Sequence, residues 1–352
     1  DGGLLLLRET ARVSNFLGRV ASCFSDLRDQ WRIEHSVSEL LGQRIFAICQ
    51  GYEDLNDHDS LRYDPALALA VGKADPLGED RRHERDRGRA LAGHATLNRI
   101  ELAAAEYDPK RPDRKIIHDP QAIERLFVQF FLDAHETPPR QIILDLDATD
   151  DPLHGRQEGR FFHGYYRSYC YLPLYIFCGD FLLVAKLRRS DQDASAGSLE
   201  EVQRVVQHIR TRWPEVHITL RADSGFCRDW LMSWCEGQSG VDFVFGLARN
   251  SRLRAMISEE MEANAEERDR TGEPVKTYKE LTYSTKRSWS QQRRVVGKAE
   301  VLMGKENPRF VVTSLSQAVL DTRALYEDFY CACGDMENRI KEQQLGMFAD
   351  RT

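Results

Sequence analysis

In the segment QIILDLDATDD, residues 141 to 151, two aspartates stand where a buried strand calls for apolar side chains. Ile142, Leu144 and Leu146 fall on one face of a period-two strand; Ile143, Asp145 and Asp147 fall on the other. Aspartate is depleted from strands, and a buried carboxylate is costly unless it is paired, hydrogen-bonded or bound to metal. Asp223 ends the strand-like VHITLRAD just before a Ser-Gly turn, a position where α/β folds place chemistry. Taken alone it would simply form the turn or cap a helix. A third acid, Glu337, lies in LYEDFYCACGDMENRIKEQQLGMF. A helix there puts Tyr330, Cys333, Glu337, Lys341 and Gln344 on one stripe, with Met336, Ile340 and Met347 on an apolar stripe able to dock on a sheet. In isolation, Glu337 with Lys341 is a surface pair. Together, two strand acids and one helix acid suit two-metal phosphoryl chemistry. Their hard oxygen donors fit Mg²⁺ or Mn²⁺. Two such ions about 3.5–4 Å apart activate a water or 3′-hydroxyl and stabilise the departing oxygen.

The elements that must position these acids begin near residue 140. Strand-like segments cover 141–147, 169–177 and 181–187. An amphipathic helix follows at 198–213, with Leu199, Val202, Val205, Val206 and Ile209 on its apolar face and a Ser198–Glu201 capping-box pattern at its start. Then come VHITLRAD, the helix CRDWLMSWCEG and the strand VDFVFGLA. This alternation predicts an α/β fold, a mixed sheet flanked by helices. Upstream, 14–50 reads as helical, DHDSLRYDPALALAVG adds a turn and a short helix, and 78–93 reads as an exposed charged loop. A helix over 118–135 is expected to start with Asp119 as N-cap and Pro120 at its first position. The acids are separated by 223 − 147 = 76 and 337 − 223 = 114 residues. The second gap is too long for one helix, one strand and a structureless loop. It implies inserted β-rich material at about 251–312, where RRVVGKAEVLM and PRFVVTSL read as strands.

The bulk properties fit such a reading. A chain of 352 residues, 41% hydrophobic and 30% charged, suits two or three globular units around one main core. No apolar run approaches the roughly 20 residues of a membrane span, and Leu4–Leu7 is no signal peptide. The first residue is Asp1, not Met, so a start further upstream is expected. The eight cysteines, at 23, 49, 170, 178, 227, 235, 331 and 333, form no metal-site spacing and read as reduced cytosolic thiols. The net charge of −7 is unevenly spread: SEEMEANAEERDR, 258–270, is strongly acidic, whereas STKRSWSQQRRVVGKA, 284–299, carries only cations.

On the stretches LDLDATDDPLHG, WPEVHITLRADSGF, FGLARN and YCACGDMENRIKE, with QRIFAICQGYEDLNDHDSLRYDP upstream, the sequence resembles the DDE transposases of bacterial insertion sequences that carry a β-rich insertion in the catalytic core. The resemblance implies an RNase H-like mixed sheet flanked by helices, a helical N-terminal region and an inserted β-rich subdomain. It maps the catalytic and metal-binding acids to Asp147, Asp223 and Glu337, since Asp147-Ala148-Thr149 matches the family's Asp-x-Thr. It implies two ions, Mg²⁺ or Mn²⁺, and double-stranded DNA as partner, both element terminal inverted repeats and target, with a homodimer in the synaptic complex. The implied setting is the cytoplasm of a bacterium, at its nucleoid. The expected domains are 1–117, a helical region that binds DNA and is truncated at its N-terminus; 118–250, the first part of the core; 251–312, the β-rich insertion; and 313–352, the helix of the third acid, truncated at its C-terminus. The family's Tyr-x2-Arg-x3-Glu-x6-Lys is met at Tyr330 and Glu337, but Cys333 replaces the arginine and Gln344 the lysine. An arginine that forks onto phosphate is not replaced by a thiol; Lys341 or Arg339 is placed to compensate in part.

The expected DNA contacts are Trp289, Arg293, Arg294, Lys298, Tyr330 and Lys341. Cations neutralise phosphates, and an exposed tryptophan can stack on an unpaired base; the alternative for Trp289 is the small core of a solvated basic hairpin. His154 and His163 read as structural. The function expected is metal-dependent 3′ strand cleavage at element ends and strand transfer into target DNA. An RNase H-like nuclease without strand transfer, or an inactive DNA-binding remnant, is the alternative.

Overall fold

The computed structural model describes residues 2–303 and 305–343, without the side chains of residues 333, 335 and 343. The described residues form two compact units, 2–126 with 343, and 127–342.

The first unit is mainly helical: α1 (Gly2–Val13), α2 (Phe16–Ala21), α3 (Val37–Cys49), α4 (His58–Leu61), α5 (Pro65–Val71) and α6 (His94–Glu101). Strands β1 (Phe24–Asp26) and β2 (Ile116–His118) pair antiparallel, Ser25 opposite Ile117. That pairing corrects the helical reading of 14–50, because residues 22–36 leave the helix to reach β2. Helix α3 restarts at a capping box that sequence reading missed: the Glu39 N–H donates to Ser36 Oγ (3.2 Å) and the Ser36 N–H to Glu39 Oε2 (2.7 Å). Buried Gln43 holds this unit together, donating to the Ala92 carbonyl (2.8 Å) and accepting from the Ala92 N–H (3.0 Å). α7 (Pro120–Asp133) carries the chain into the second unit, and its Asp119 accepts from the Ala122 N–H at 2.9 Å, as a cap should.

The second unit is built on a mixed sheet flanked by helices, as expected. Its strands are β3 (Gln141–Ala148), β4 (Asp151–Pro152), β5 (Phe161–His163), β6 (Ser168–Tyr171), β7 (Leu174–Cys178), β8 (Phe181–Lys186), β9 (His217–Ala222), β10 (Val241–Leu247), β11 (Val275–Tyr283), β12 (Arg293–Leu302), β13 (Lys305–Glu306) and β14 (Arg309–Thr313). The large sheet runs β11-β12-β14-β10-β9-β3-β7-β8, with β13 on β12; β4, β6 and β5 form a separate small sheet. Only the β10–β9 and β9–β3 pairings are parallel among the described strands. Helices α8 (Ser198–Arg212), α9 (Asp229–Glu236), α10 (Ser251–Met256) and α11 (Ser258–Thr271) supply apolar faces such as Val202, Val205 and Ile209 to one core with Leu144, Leu220 and Phe243. The strands of 251–312 do exist, and they extend the central sheet through β14. The acidic run before them is α11, held down by buried Asn264, which donates to the Ala299 carbonyl (2.9 Å) and Thr277 Oγ1 (3.0 Å).

The Ser198–Glu201 capping box does not form. Ser198 is the first helical residue, after left-handed Gly197, and buried Glu201 pairs with Lys186 and with Arg204 (2.8 Å). A cap needs an extended residue before the helix, and here a glycine turn takes that place. The seven cysteines whose side chains are described carry no disulfide. No described helix is long and apolar enough to cross a membrane.

Candidate active site

The pairing of β3 with β9 answers why one strand carries two aspartates. It is parallel, with Asp145 opposite Arg221 and Leu146 opposite Ala222, a constant offset of 76 residues. Arg221 donates from Nε and Nη2 to both oxygens of Asp145, at 2.5 and 2.8 Å, and both residues are buried. Continuing the same offset by two residues from Asp145 and Arg221 sets Asp147 beside Asp223, 223 − 147 = 76. Side chains alternate along a strand, so the ion pair and the acid pair occupy the same face at successive levels. Asp145 has a cation. Asp147 has another carboxylate.

The local bonds of the two strand-end acids are sparse. Asp147 Oδ1 accepts the Ala148 N–H at 2.8 Å. Asp223 Oδ1 accepts the Gly225 N–H at 2.8 Å and caps the 3₁₀ turn Ser224–Phe226, as the turn-forming reading expects. Burial, then the neighbouring Asp223 and Glu337 charges, push the Asp147 carboxyl up to about 6, against the Ala148 N–H. Asp223 is open to solvent at the strand end, yet the protein atoms crowded around it raise its carboxyl as well, against the Gly225 and Phe226 N–H groups and Arg228. That arginine is itself engaged by Asp193 at 2.7 Å.

Glu337 comes from the C-terminal segment: α12 (Thr322–Ala324), a π-helical stretch Leu325–Tyr330, and α13 (Gly334–Gln343). Met336 and Ile340 are buried against Phe177, the expected docking stripe, which leaves Glu337 exposed; Met347 lies outside the described residues. Arg221 anchors the same segment by donating from Nη1 to the Phe329 carbonyl at 2.6 Å. One residue on, the Tyr330 hydroxyl lies against Gly246 of β10, where an added Cβ would collide with it and stand 3.0 Å from Ser224 N. Gly246→Ala is therefore expected to expel that hydroxyl from the Asp223 turn and destabilise the fold by about 1–3 kcal/mol. Adding Tyr330→Phe should recover part of the stability, as read by denaturant unfolding; equal stability of all variants would refute the contact.

The donor set fits hard divalent cations. It consists of carboxylate oxygens, Asp147 has no lysine or arginine paired with it among the described residues, and burial together with the Asp223 and Glu337 charges raises its affinity for a proton. No three His, Cys, Asp or Glu side chains are yet close enough to hold an ion among the described residues. Of the three acids, Glu337 comes from a helix and is exposed.

A family model described as transposase DDE domain group 1 matches residues 1–352. The chain belongs to this family of DDE transposases. Comparison with curated proteins finds no match. A cryo-EM structure of the piggyBac transposase synaptic complex with hairpin DNA is similar at TM-score 0.37 and 12% identity, over 80% of this chain and 69% of that one. So slight a likeness carries no argument.

In the transposase, the basic segment of 284–299 is arranged differently from a phosphate-binding strip. Arg293 is 4% exposed and bonded to Asp229 (2.7 Å) and Glu236 (2.7 Å). Such a guanidinium is not presented to a polyanion, which corrects its assignment as a DNA contact. Trp289 is half-buried and packs against the main core, not the small core of a separate hairpin, edge-on to Tyr283 at 5.6 Å and beneath Arg293. Arg294 donates to the Leu315 carbonyl (3.0 Å) and pairs with Glu280, and Lys298 pairs with Glu300 at 2.7 Å. The island's exposed cations are Lys286 and Arg287. Tyr330 stands at the site, Lys341 is exposed on α13, and Arg339 pairs with Asp180. The Cys333 side chain and Gln344 lie outside the described residues. Sequence reading missed Arg221, although 221 − 145 repeats the 76-residue spacing of the two acids. It also missed Tyr166, whose hydroxyl reaches the Ala148 carbonyl at 3.4 Å and is pushed up to about 12 by burial and by Asp150, Asp147 and Asp223.

Proposed function

We propose that this transposase cleaves the 3′ strand at the ends of its element and joins that end to target DNA, with Asp147, Asp223 and Glu337 as the metal-binding acids. The observation that carries the reading is the shared 76-residue offset, which sets Asp147 beside Asp223 at the ends of two parallel strands with Glu337 in electrostatic reach. The strand order β8-β7-β3-β9-β10, with β3 central, β7 antiparallel to it and β8 antiparallel to β7, supports an RNase H-like core, to which β14, β12 and β11 of the insertion are added. Two Mg²⁺ or Mn²⁺ ions held by these carboxylates would activate the attacking oxygen and stabilise the leaving one. The protein's own groups set the stage: Arg221 fixes Asp145 and the Phe329 carbonyl, and Tyr330 flanks the Asp223 turn. Tyr330, Lys341, Lys286 and Arg287 are the groups proposed to meet double-stranded DNA, the terminal repeats and the target, in a paired-end homodimer. Residues 1–117 are proposed to assist binding.

The test is incubation of the chain with duplex DNA carrying the terminal repeats that bracket its gene. Metal-dependent 3′ nicking and strand-transfer products are expected from wild type and not from Asp147→Asn. Nicking without transfer would favour a nuclease; nicking that survives Asp147→Asn would overturn the assignment. A readout without DNA is thermal unfolding. Mn²⁺ at about 100 times its Kd should stabilise wild type by about 2.7 kcal/mol, and Asp147→Asn with Asp223→Asn should abolish that gain.

A further inference from the structure

The small sheet β4-β6-β5 lies next along the chain from Asp147, and the site does not account for its surface. Between residues 152 and 172 there are six aromatic residues, three arginines and one acid. A soluble fold ordinarily buries its rings, yet Phe162 is 58%, Tyr165 84% and Tyr169 48% exposed. Phe162 and Tyr169 are cross-strand partners, edge to face at 5.6 Å. Arg160 lies over the Tyr169 ring at 4.7 Å, and Arg156 and Arg167 are exposed with no partner among the described residues. Tyr165 stands edge-on to Tyr166 at 5.0 Å, and Tyr166 is the ring whose hydroxyl reaches the end of β3. The turn joining the strands is closed by an Arg167 N–H to His163 carbonyl bond at 2.8 Å. Exposed rings with unpaired arginines in the same short segment are the chemistry that holds unpaired nucleotides: bases stack on the rings while guanidinium groups meet the phosphates.

We propose that the β5–β6 hairpin is a stacking platform for an unpaired DNA base next to the acid cluster, with Phe162, Tyr165 and Tyr169 as its surfaces and Arg156 and Arg167 as its phosphate contacts. This rests on the DNA-cleaving reading above and extends it: an end being cut must be opened, and an opened base needs somewhere to go. A duplex keeps its bases stacked internally, so the platform discriminates unpaired from paired DNA.

The experiment measures binding of the intact chain, in chelator so that nothing is cut, to fluorescent oligothymidylate of about 16 nucleotides and to a blunt duplex of similar length. Phe162→Ala with Tyr165→Ala should weaken single-strand binding about tenfold or more and duplex binding by no more than about twofold. Both side chains are exposed, so folding should be intact by circular dichroism, and Tyr165→Trp should retain or tighten single-strand binding. An equal loss on both DNAs, no loss on either, or wild type that ignores single strands would each overturn the proposal. Cleavage assayed separately distinguishes the two readings. If wild type cuts no DNA while the rings still carry single-strand binding, the catalytic reading falls and the platform stands. If cutting depends on Asp147 but single-strand binding ignores the rings, the platform falls alone.

Discussion

Asp147→Asn should give a protein that no longer cuts DNA and yet resists denaturation better than wild type. The loss of cutting should be at least about 10²-fold, because the substitution removes one of the three carboxylates proposed to hold the metal ions. The gain in stability follows from the same charge. In the folded state the carboxyl is pushed from 3.8 to about 6 by burial and by the Asp223 and Glu337 charges. The folded state therefore binds this proton more tightly than the unfolded chain, and stability falls as pH rises from about 4 to about 6. Above that window wild type carries the full penalty, of order 1–3 kcal/mol. Asparagine cannot ionise and escapes it. Urea unfolding at about pH 8 should show the variant more stable, and the difference should shrink towards pH 4. Equal stability at both values would mean that the acids do not strain one another.

Two residues earlier on the same strand the sign reverses. Arg221→Met should destabilise the fold by about 3–5 kcal/mol, since it leaves the buried Asp145 carboxylate without its guanidinium. Asp145→Leu with Arg221→Met should recover most of that loss, because an apolar pair of similar volume replaces a buried ion pair at little cost. Cleavage should not return with it. The Phe329 carbonyl loses its donor in both variants, and that carbonyl ties the segment bearing Glu337 to the strands of the other two acids. Denaturant unfolding and a nicking assay on the same three proteins check both halves; full recovery of nicking in the double variant would show that Arg221 matters only as a counter-charge.

These contrasts also explain what could be read from sequence. The alternation of 141–148 and the apolar periods of 198–212 are local patterns imposed by a single core, and both elements stand where they were expected. Met336 and Ile340 likewise announce the buried side of α13. The errors share a different origin. Residues 22–36 break the helix to pair with residues about ninety positions away. Arg293 looks like a free cation until Asp229 and Glu236 arrive from another helix. Ser198 has the right residue type for a cap but follows Gly197, whose left-handed backbone already turns the chain. In each case the deciding partner is distant in sequence, and its identity carries no local signal. The Asp145–Arg221 pair is equally distant; only its repeat of the acid spacing betrays it.

The charge order along β3 and β9 has one more consequence, for how the chain avoids mis-threading. A slip of two positions keeps every apolar side chain on its proper face, so hydrophobic burial alone cannot forbid it. Slipped one way, Asp147 would meet Arg221 and be silenced, with Asp145 left facing Thr219. Slipped the other way, Asp145 would face Asp223 and the two would repel. Only the native alignment neutralises the interior level while leaving the outer one electronegative. The buried pair thus acts as a vernier: its formation during folding means that Asp147 and Asp223, two rungs above it, have been brought into line.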